Sequence, residues 1–266
     1  MAAFGALEKP VFILGCPRSG TTYLGNILEM MPGASYYFEP PILKYYARPV
    51  YEGRVSPSRS RRFYRSCCRS LLFVAPGTGP RVVEKNPNHT WVAEALYHAF
   101  PDARFIIISR DGRDTALSLS QKPWHLKESV ATGKREPGGY LYGPFPHFYI
   151  EEHRRDEYLH TSDMHRCAWI WRRHAEQIAH LRQALPADCQ FHISYESLIL
   201  QPEKTLGFIL EFIGENDERT RKKVFAAARE GHTFSLGRWR KGLKPSDLQI
   251  IQREAGEMLE RSDYAT

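Results

Sequence analysis

The sequence predicts an α/β protein with a mostly parallel central sheet flanked by helices, opening on a P-loop-like strand–loop–helix unit. Three observations lead there. Apolar runs without alternation, Val11–Leu14 and Phe105–Ile108 above all, suit strands buried on both faces of a parallel sheet. Stretches with apolar residues at helical spacing separate these runs, so strands alternate with helices. Polar clusters stand directly after the strands, at the edge where such sheets bind their ligands.

The first element is the most informative. Val11 to Leu14 is the strand, Gly15 to Thr21 a tight turn, and Leu24, Ile27 and Leu28 mark a helix opening at Thr22. Unpaired backbone N–H groups and the helix dipole make such a junction an anion site. The spacing Gly15-x-x-x-x-Gly20-Thr21-Thr22 nearly matches the phosphate-binding loop of nucleotide triphosphatases. The lysine of that motif is missing. Thr21 stands in its place and Arg18 is the nearest cation. A phosphate-containing ligand other than a Mg-bound triphosphate is the expectation.

Further along, Ala34–Phe38 is a short aromatic strand ending at Glu39-Pro40-Pro41, and Ser66–Val74 has a helical pattern. Arg81–Lys85 is a strand, followed by a helix over about Thr90–Phe100 capped by Asn88 or Thr90. Arg104–Ser109 is the strongest strand and turns through Arg110-Asp111-Gly112-Arg113-Asp114 into a helix. Asp163–Leu185 is a long amphipathic helix whose Trp169 and Trp171 are assigned to the core. Gln190–Tyr195 is a further strand, Pro202–Ile213 a helix, and charged helices run on to the C-terminus. Segments 42–80 and 122–160 are irregular, aromatic and basic, as expected of acceptor-pocket or lid segments within one domain spanning 1–266.

Composition narrows the partners. Lys and Arg number 37 against 30 Asp and Glu, a formal charge of +7, and 42% of residues are apolar. The basic balance suits an anionic small molecule. Nucleic acid is not expected, because the mixed stretch Arg54–Arg69 is the only basic concentration and carries no zinc or heptad spacing. Five scattered cysteines, an odd number, suggest reduced thiols. With no apolar run of membrane-spanning length and no basic-then-apolar leader at the N-terminus, a soluble cytoplasmic protein is expected. The histidines lack metal-ligand spacing, so no metal is expected. His89 and His125 are candidates for substrate contact.

Four clusters follow strands and should converge on one sheet edge: Arg18–Thr22, Glu39, Lys85 and Arg110–Ser118. Arg110 and Ser118, eight residues apart, form a second candidate anion pair. Two anion sites on one edge suggest a ligand with phosphates at both ends.

These residues resemble the sulfotransferases that use 3′-phosphoadenosine 5′-phosphosulfate (PAPS) and release PAP. Pro17-Arg18-Ser19-Gly20-Thr21-Thr22 is similar to their 5′-phosphosulfate loop, and Arg110 with Ser118 to their 3′-phosphate pair. Tyr195, in Ser194-Tyr195-Glu196-Ser197-Leu198, resembles the tyrosine at the adenine region. Arg240-Lys241-Gly242 resembles the C-terminal element that closes on the 3′-phosphate, with Trp239 beside it near the adenine. The arginine in the first loop and Arg110-Asp111-Gly112-Arg113 are closer to the tyrosylprotein, carbohydrate and bacterial branches than to the cytosolic phenol and steroid enzymes. In those branches the resemblance implies Glu39 as catalytic base and Lys85, in Glu84-Lys85-Asn86-Pro87, as catalytic cation.

Sulfuryl transfer needs these groups on chemical grounds. Like phosphoryl transfer, it passes a loose in-line transition state with charge on the leaving oxygen. Preorganised cations stabilise that charge, Arg18 and Lys85 here, and a base takes the acceptor proton. The expectation is a metal-independent O-sulfotransferase acting on a small-molecule or carbohydrate hydroxyl, possibilities that include a natural product. A P-loop nucleotide kinase or NTPase and a non-enzymatic nucleotide-binding module are the alternatives. The acceptor and the oligomeric state are not legible.

Overall fold

In the computed structural model, residues 8–74, 79–129, 132–135, 141, 147–228 and 233–264 are described. Strands β1 (Glu8–Gly15), β2 (Ala34–Phe38), β3 (Arg81–Lys85), β4 (Arg104–Ser109) and β5 (Gln190–Ser194) form one sheet in the order β2-β3-β1-β4-β5. Every pairing is parallel. The central strand β1 explains the unbroken apolar run, because both of its faces are covered. Val11 and Ile13 enter one core with Ile106 and Ile108, while Phe12 and Leu14 enter another with Phe105 and Ile107. Alternation survives in the packing though not in the polarity.

Helix α1 (Thr21–Leu28) packs on the first of these faces with its Leu24, Ile27 and Leu28 buried. The other helices are α2 (Pro41–Tyr51), α3 (Pro57–Val74), α4 (Ala93–Ala99), α5 (Gly112–Ser120), α6 (Arg155–His160), α7 (Asp163–Ala184), α8 (Tyr195–Leu200), α9 (Pro202–Phe212), α10 (Glu218–Ala228), α11 (Trp239–Gly242) and α12 (Pro245–Arg261). Helices α8, α9 and α10 share the face of α1, while α2, α3, α4 and α7 cover the opposite one. A third core joins α5, α7 and α12 around Trp169, which is fully buried, and Trp171. Among the described residues no helix is long and apolar enough to cross a membrane.

Local chemistry moved three boundaries. The element after β3 starts as a 3-10 turn over Pro87–Trp91, where Asn86 accepts the Asn88 amide at 3.1 Å, and only then becomes α4. Tyr195 is the first residue of α8 rather than the last of β5, because the Ser194 hydroxyl caps the Ser197 amide at 3.0 Å. Segment 42–80 holds helices α2 and α3, the first begun by Pro41 at a position where its missing N–H costs nothing. In the lid segment, residues 130–131, 136–140 and 142–146 lie outside the described residues.

Candidate active site

The loop after β1 is held by backbone geometry. The Ser19 amide donates to Cys16 O at 3.1 Å, and Gly20, at φ 90°, hands the chain into α1. A side chain at Gly20 would overlap the ring of Tyr195, so glycine is required twice over. Arg18 adopts φ 71°, a left-handed conformation costly for a residue with a Cβ. Strain of this kind persists where surrounding structure imposes it.

That conformation aims Arg18 at a second cation. The Arg110 guanidinium donates to Arg18 O at 2.9 Å and to Ser235 O at 2.5 Å, and lies 4.5 Å above the Tyr195 ring. Tyr195 and Ser235 hydroxyls are 2.8 Å apart, and Arg18 Nε donates to Ser118 Oγ at 3.2 Å. Burial, then the neighbouring Arg110 charge, lowers the pKa of Arg18, though a guanidinium stays protonated. Arg110 is 6% exposed, its Nε has no hydrogen-bond partner among the described residues, and its nearest carboxylate oxygen, on Asp114, is 4.0 Å away. A buried Arg110 and an exposed Arg18 beside it, both held by carbonyl and hydroxyl groups, leave uncompensated positive charge at the cavity. This corner is built for an anion.

The C-terminal loop closes over α5 differently from the sequence expectation. Asp114 accepts the amides of Gly237 at 2.7 Å and Trp239 at 2.9 Å, pinning the loop against the helix. The Trp239 ring is then held between the guanidiniums of Arg113, at 4.0 Å, and Arg240, at 4.5 Å. Trp239 therefore does not line the cavity described below. Arg240, Lys241 and Gly242 are exposed and do not line it either. The loop residue that reaches Arg110 is Ser235, which no motif marked.

On the other side of the loop, β2 and β3 pair with Phe38 opposite Lys85, and the Glu39 amide donates to Lys85 O at 2.9 Å. Glu39 sits at φ 41° and is buried. Its Oε1 accepts from the Lys85 ammonium and its Oε2 from Lys44 Nζ at 2.6 Å. Burial pushes the Glu39 carboxyl up, but the Lys85 and Lys44 charges win and hold it below the usual carboxylate range. Burial draws the Lys85 ammonium down, against the opposing pull of Glu39. Lys44 went unnoticed in the sequence. The signal was present: Pro40-Pro41 starts a helix, and a lysine in its first turn can swing back onto Glu39.

Both clusters open into one cavity of about 920 Å³. Its walls include Arg18, Gly20, Thr21, Thr22, Glu39, Lys85, Arg110, Tyr195 and His125 from the sequence-predicted set. Ser19 and Ser118 are buried next to it without lining it. His89 is a correction. It is fully buried, its Nδ1 lies 2.9 Å from Glu84, and Phe12 and Tyr64 meet its ring edge to face, so it is a core residue. The next-door Asn88 and Pro87 line the cavity instead. Pro17, Tyr23, Asn26 and Phe38 add to this wall, and the two irregular segments supply Tyr45 and Arg48 on α2, then Lys122, Trp124, His147, Phe148 and Tyr149. Away from this cavity, Glu157, His165 and Glu254 bring three ligand atoms within 4.8 Å of one another, but Arg154 and Arg172 already pair with Glu254.

Residues 10–133 match the model of the sulfotransferase family. A protein-tyrosine sulfotransferase of Drosophila melanogaster is 23% identical over 221 residues, 77% of this chain and 38% of that protein. The chain spans well under half the length of the curated relatives it matches. Sulfotransferase STF9 of Mycobacterium avium superimposes with a TM-score of 0.65 at 19% identity, over 98% of this chain and 78% of the other. A mouse sulfotransferase complexed with PAP gives a TM-score of 0.52 at 16% identity, over 97% and 86%. Over residues 10–133 the chain is similar to the sulfotransferase family, and its fold is that of solved sulfotransferases.

Proposed function

We propose that the protein transfers a sulfuryl group from PAPS to the hydroxyl of a small-molecule or carbohydrate acceptor. The observation that carries this reading is a pair of guanidiniums, the buried Arg110 and the more exposed Arg18, opening into the same cavity as the Glu39–Lys85 pair. Their fit to a molecule with anions at both ends is chemical: Arg110 keeps an unused Nε donor, and Gly20 lets the Tyr195 ring pack directly against the loop. The bound donor supplies an activated sulfur–oxygen bond. Arg18, the loop amides and the Thr21 and Thr22 hydroxyls hold its 5′ end, and Arg110, Ser118 and Tyr195 its nucleotide end. Lys85 stabilises charge on the departing oxygen. Glu39 is ionised, the state a base needs, while its two lysine contacts equally suit it to hold those cations in place.

A kinase or NTPase reading is disfavoured by the donor set. A Mg-nucleotide site wants a free carboxylate, and Glu39, the one carboxylate lining the cavity among the described residues, has both oxygens on ammonium groups. Five cysteines without disulfide partners suit a reducing compartment, in keeping with a cytoplasmic enzyme. The test is transfer of label from ³⁵S-PAPS to a panel of sugars, phenols and alcohols. Transfer that falls roughly 100- to 1,000-fold in Lys85→Ala supports the reading. PAP binding with no transfer by the wild type would favour a non-enzymatic nucleotide-binding module.

A further inference from the structure

Glu39 is not the only proton-accepting group on the cavity wall. His125 ends the 3-10 turn Pro123–His125, just beyond α5, and lines the cavity while only 8% exposed. Its Nδ1 is buried with no hydrogen-bond partner among the described residues. Other histidines of the protein have at least one ring nitrogen engaged: His89 by Glu84, His165 by Glu254, and His174 by Ile170 O and the Trp91 indole. The second nitrogen of His89 is also buried without a partner among the described residues, but His89 does not line the cavity. A buried imidazole nitrogen left without a partner calls for one, and here the cavity is where a partner can arrive.

The groups facing His125 are Arg18 from the first loop, Lys44 from α2, His174 from α7, and His147, whose ring centroid is 6.2 Å away. Burial first, then these neighbours, keeps the ring neutral, so one nitrogen carries a lone pair. Glu39, by contrast, has each oxygen on an ammonium group, and those charges hold its pKa below the usual carboxylate range and make it a weaker base. We propose that His125 receives the proton of the acceptor hydroxyl, and that Glu39 acts beside it as the positioning residue for Lys44 and Lys85. This rests on the sulfuryl-transfer reading above. As the acceptor oxygen bonds to sulfur, its proton passes to the His125 lone pair. The bond from sulfur to the bridging oxygen breaks, and that oxygen leaves with the electron pair on the 5′-phosphate of PAP. The negative charge brought by the donor offsets the imidazolium formed near Arg18 and Lys44.

The experiment compares wild type, His125→Gln and His125→Phe with PAPS and two acceptors, 4-nitrophenol and 4-methylphenol, at about pH 8. The first acceptor is largely ionised there and needs no base, while the second does. Both variants should lose roughly 100-fold or more in kcat with 4-methylphenol and far less with 4-nitrophenol, with PAP affinity unchanged as the sign of an intact fold. An equal loss on both acceptors, or none, overturns the assignment. So does a wild type that binds PAP yet sulfates neither phenol, since a poised base in so large a cavity must serve these small hydroxyls. Failure of the wild type to bind PAP overturns the sulfotransferase reading itself.

Discussion

At the residue level the site is a set of charges placed by constraints on single positions. Glu39 leaves β2 in a left-handed conformation, and that turn brings its carboxylate between Lys44 and Lys85. A buried pair of this kind is costly to break from one side. Lys85→Met should therefore destabilise the protein by about 3–5 kcal/mol, and adding Glu39→Gln should restore part of the loss. Urea unfolding of the two singles and the double measures the coupling, and strict additivity would contradict it. Gly20→Ala forces a Cβ into the Tyr195 ring at φ 90°. It should weaken PAP binding at least tenfold, read by calorimetry, with a lower melting temperature alongside.

Elements carry the next set of consequences. Helix α5 delivers Asp114, which fixes the loop bearing Ser235 and so the carbonyl that holds Arg110. Asp114→Ala should weaken PAP binding several-fold while leaving the Glu39–Lys85 pair intact, so kcat should fall less than affinity. Helix α7 carries His174, whose Nδ1 bonds Ile170 O at 2.8 Å and whose Nε2 accepts from Trp91 at 3.3 Å. Burial lowers its pKa to about 3, against an ordinary value of 6.5. The unfolded chain thus takes up this proton first. Stability from neutral His174 is complete above about pH 6.5 and is lost as pH falls toward 3, on the order of 5 kcal/mol in all. Chemical denaturation across that range should show the slope, and His174→Phe should flatten it.

The whole molecule shows how far sequence reasoning reaches. All five strands were legible: β1 and β4 as unbroken apolar runs of a sheet buried on both faces, and β2, β3 and β5 as short β-branched or aromatic segments between turns and helices. Convergence of Arg18, Glu39, Lys85 and Arg110 followed from strand ends alone. Lys44 and Ser235 did not, since each reaches the site through tertiary folding of a helix or loop with no motif of its own. His89 failed because one turn of 3-10 helix rotates it into the core and leaves Asn88 at the cavity. Trp239, Arg240 and Lys241 stand off the cavity wall, because Asp114 captures the amides of Gly237 and Trp239. Motifs report the chain's order, whereas caps and ion pairs decide which side chain faces the cavity.

The central claim is that the cavity holds a nucleotide anchored by Arg110, and it is tested most directly by calorimetric titration of PAP and of Mg-ATP into wild type and Arg110→Ala. Micromolar PAP binding that weakens about 100-fold in the variant, with Mg-ATP binding far weaker throughout, is the predicted result. Tight Mg-ATP binding without preference for PAP, or PAP binding indifferent to Arg110, would contradict it.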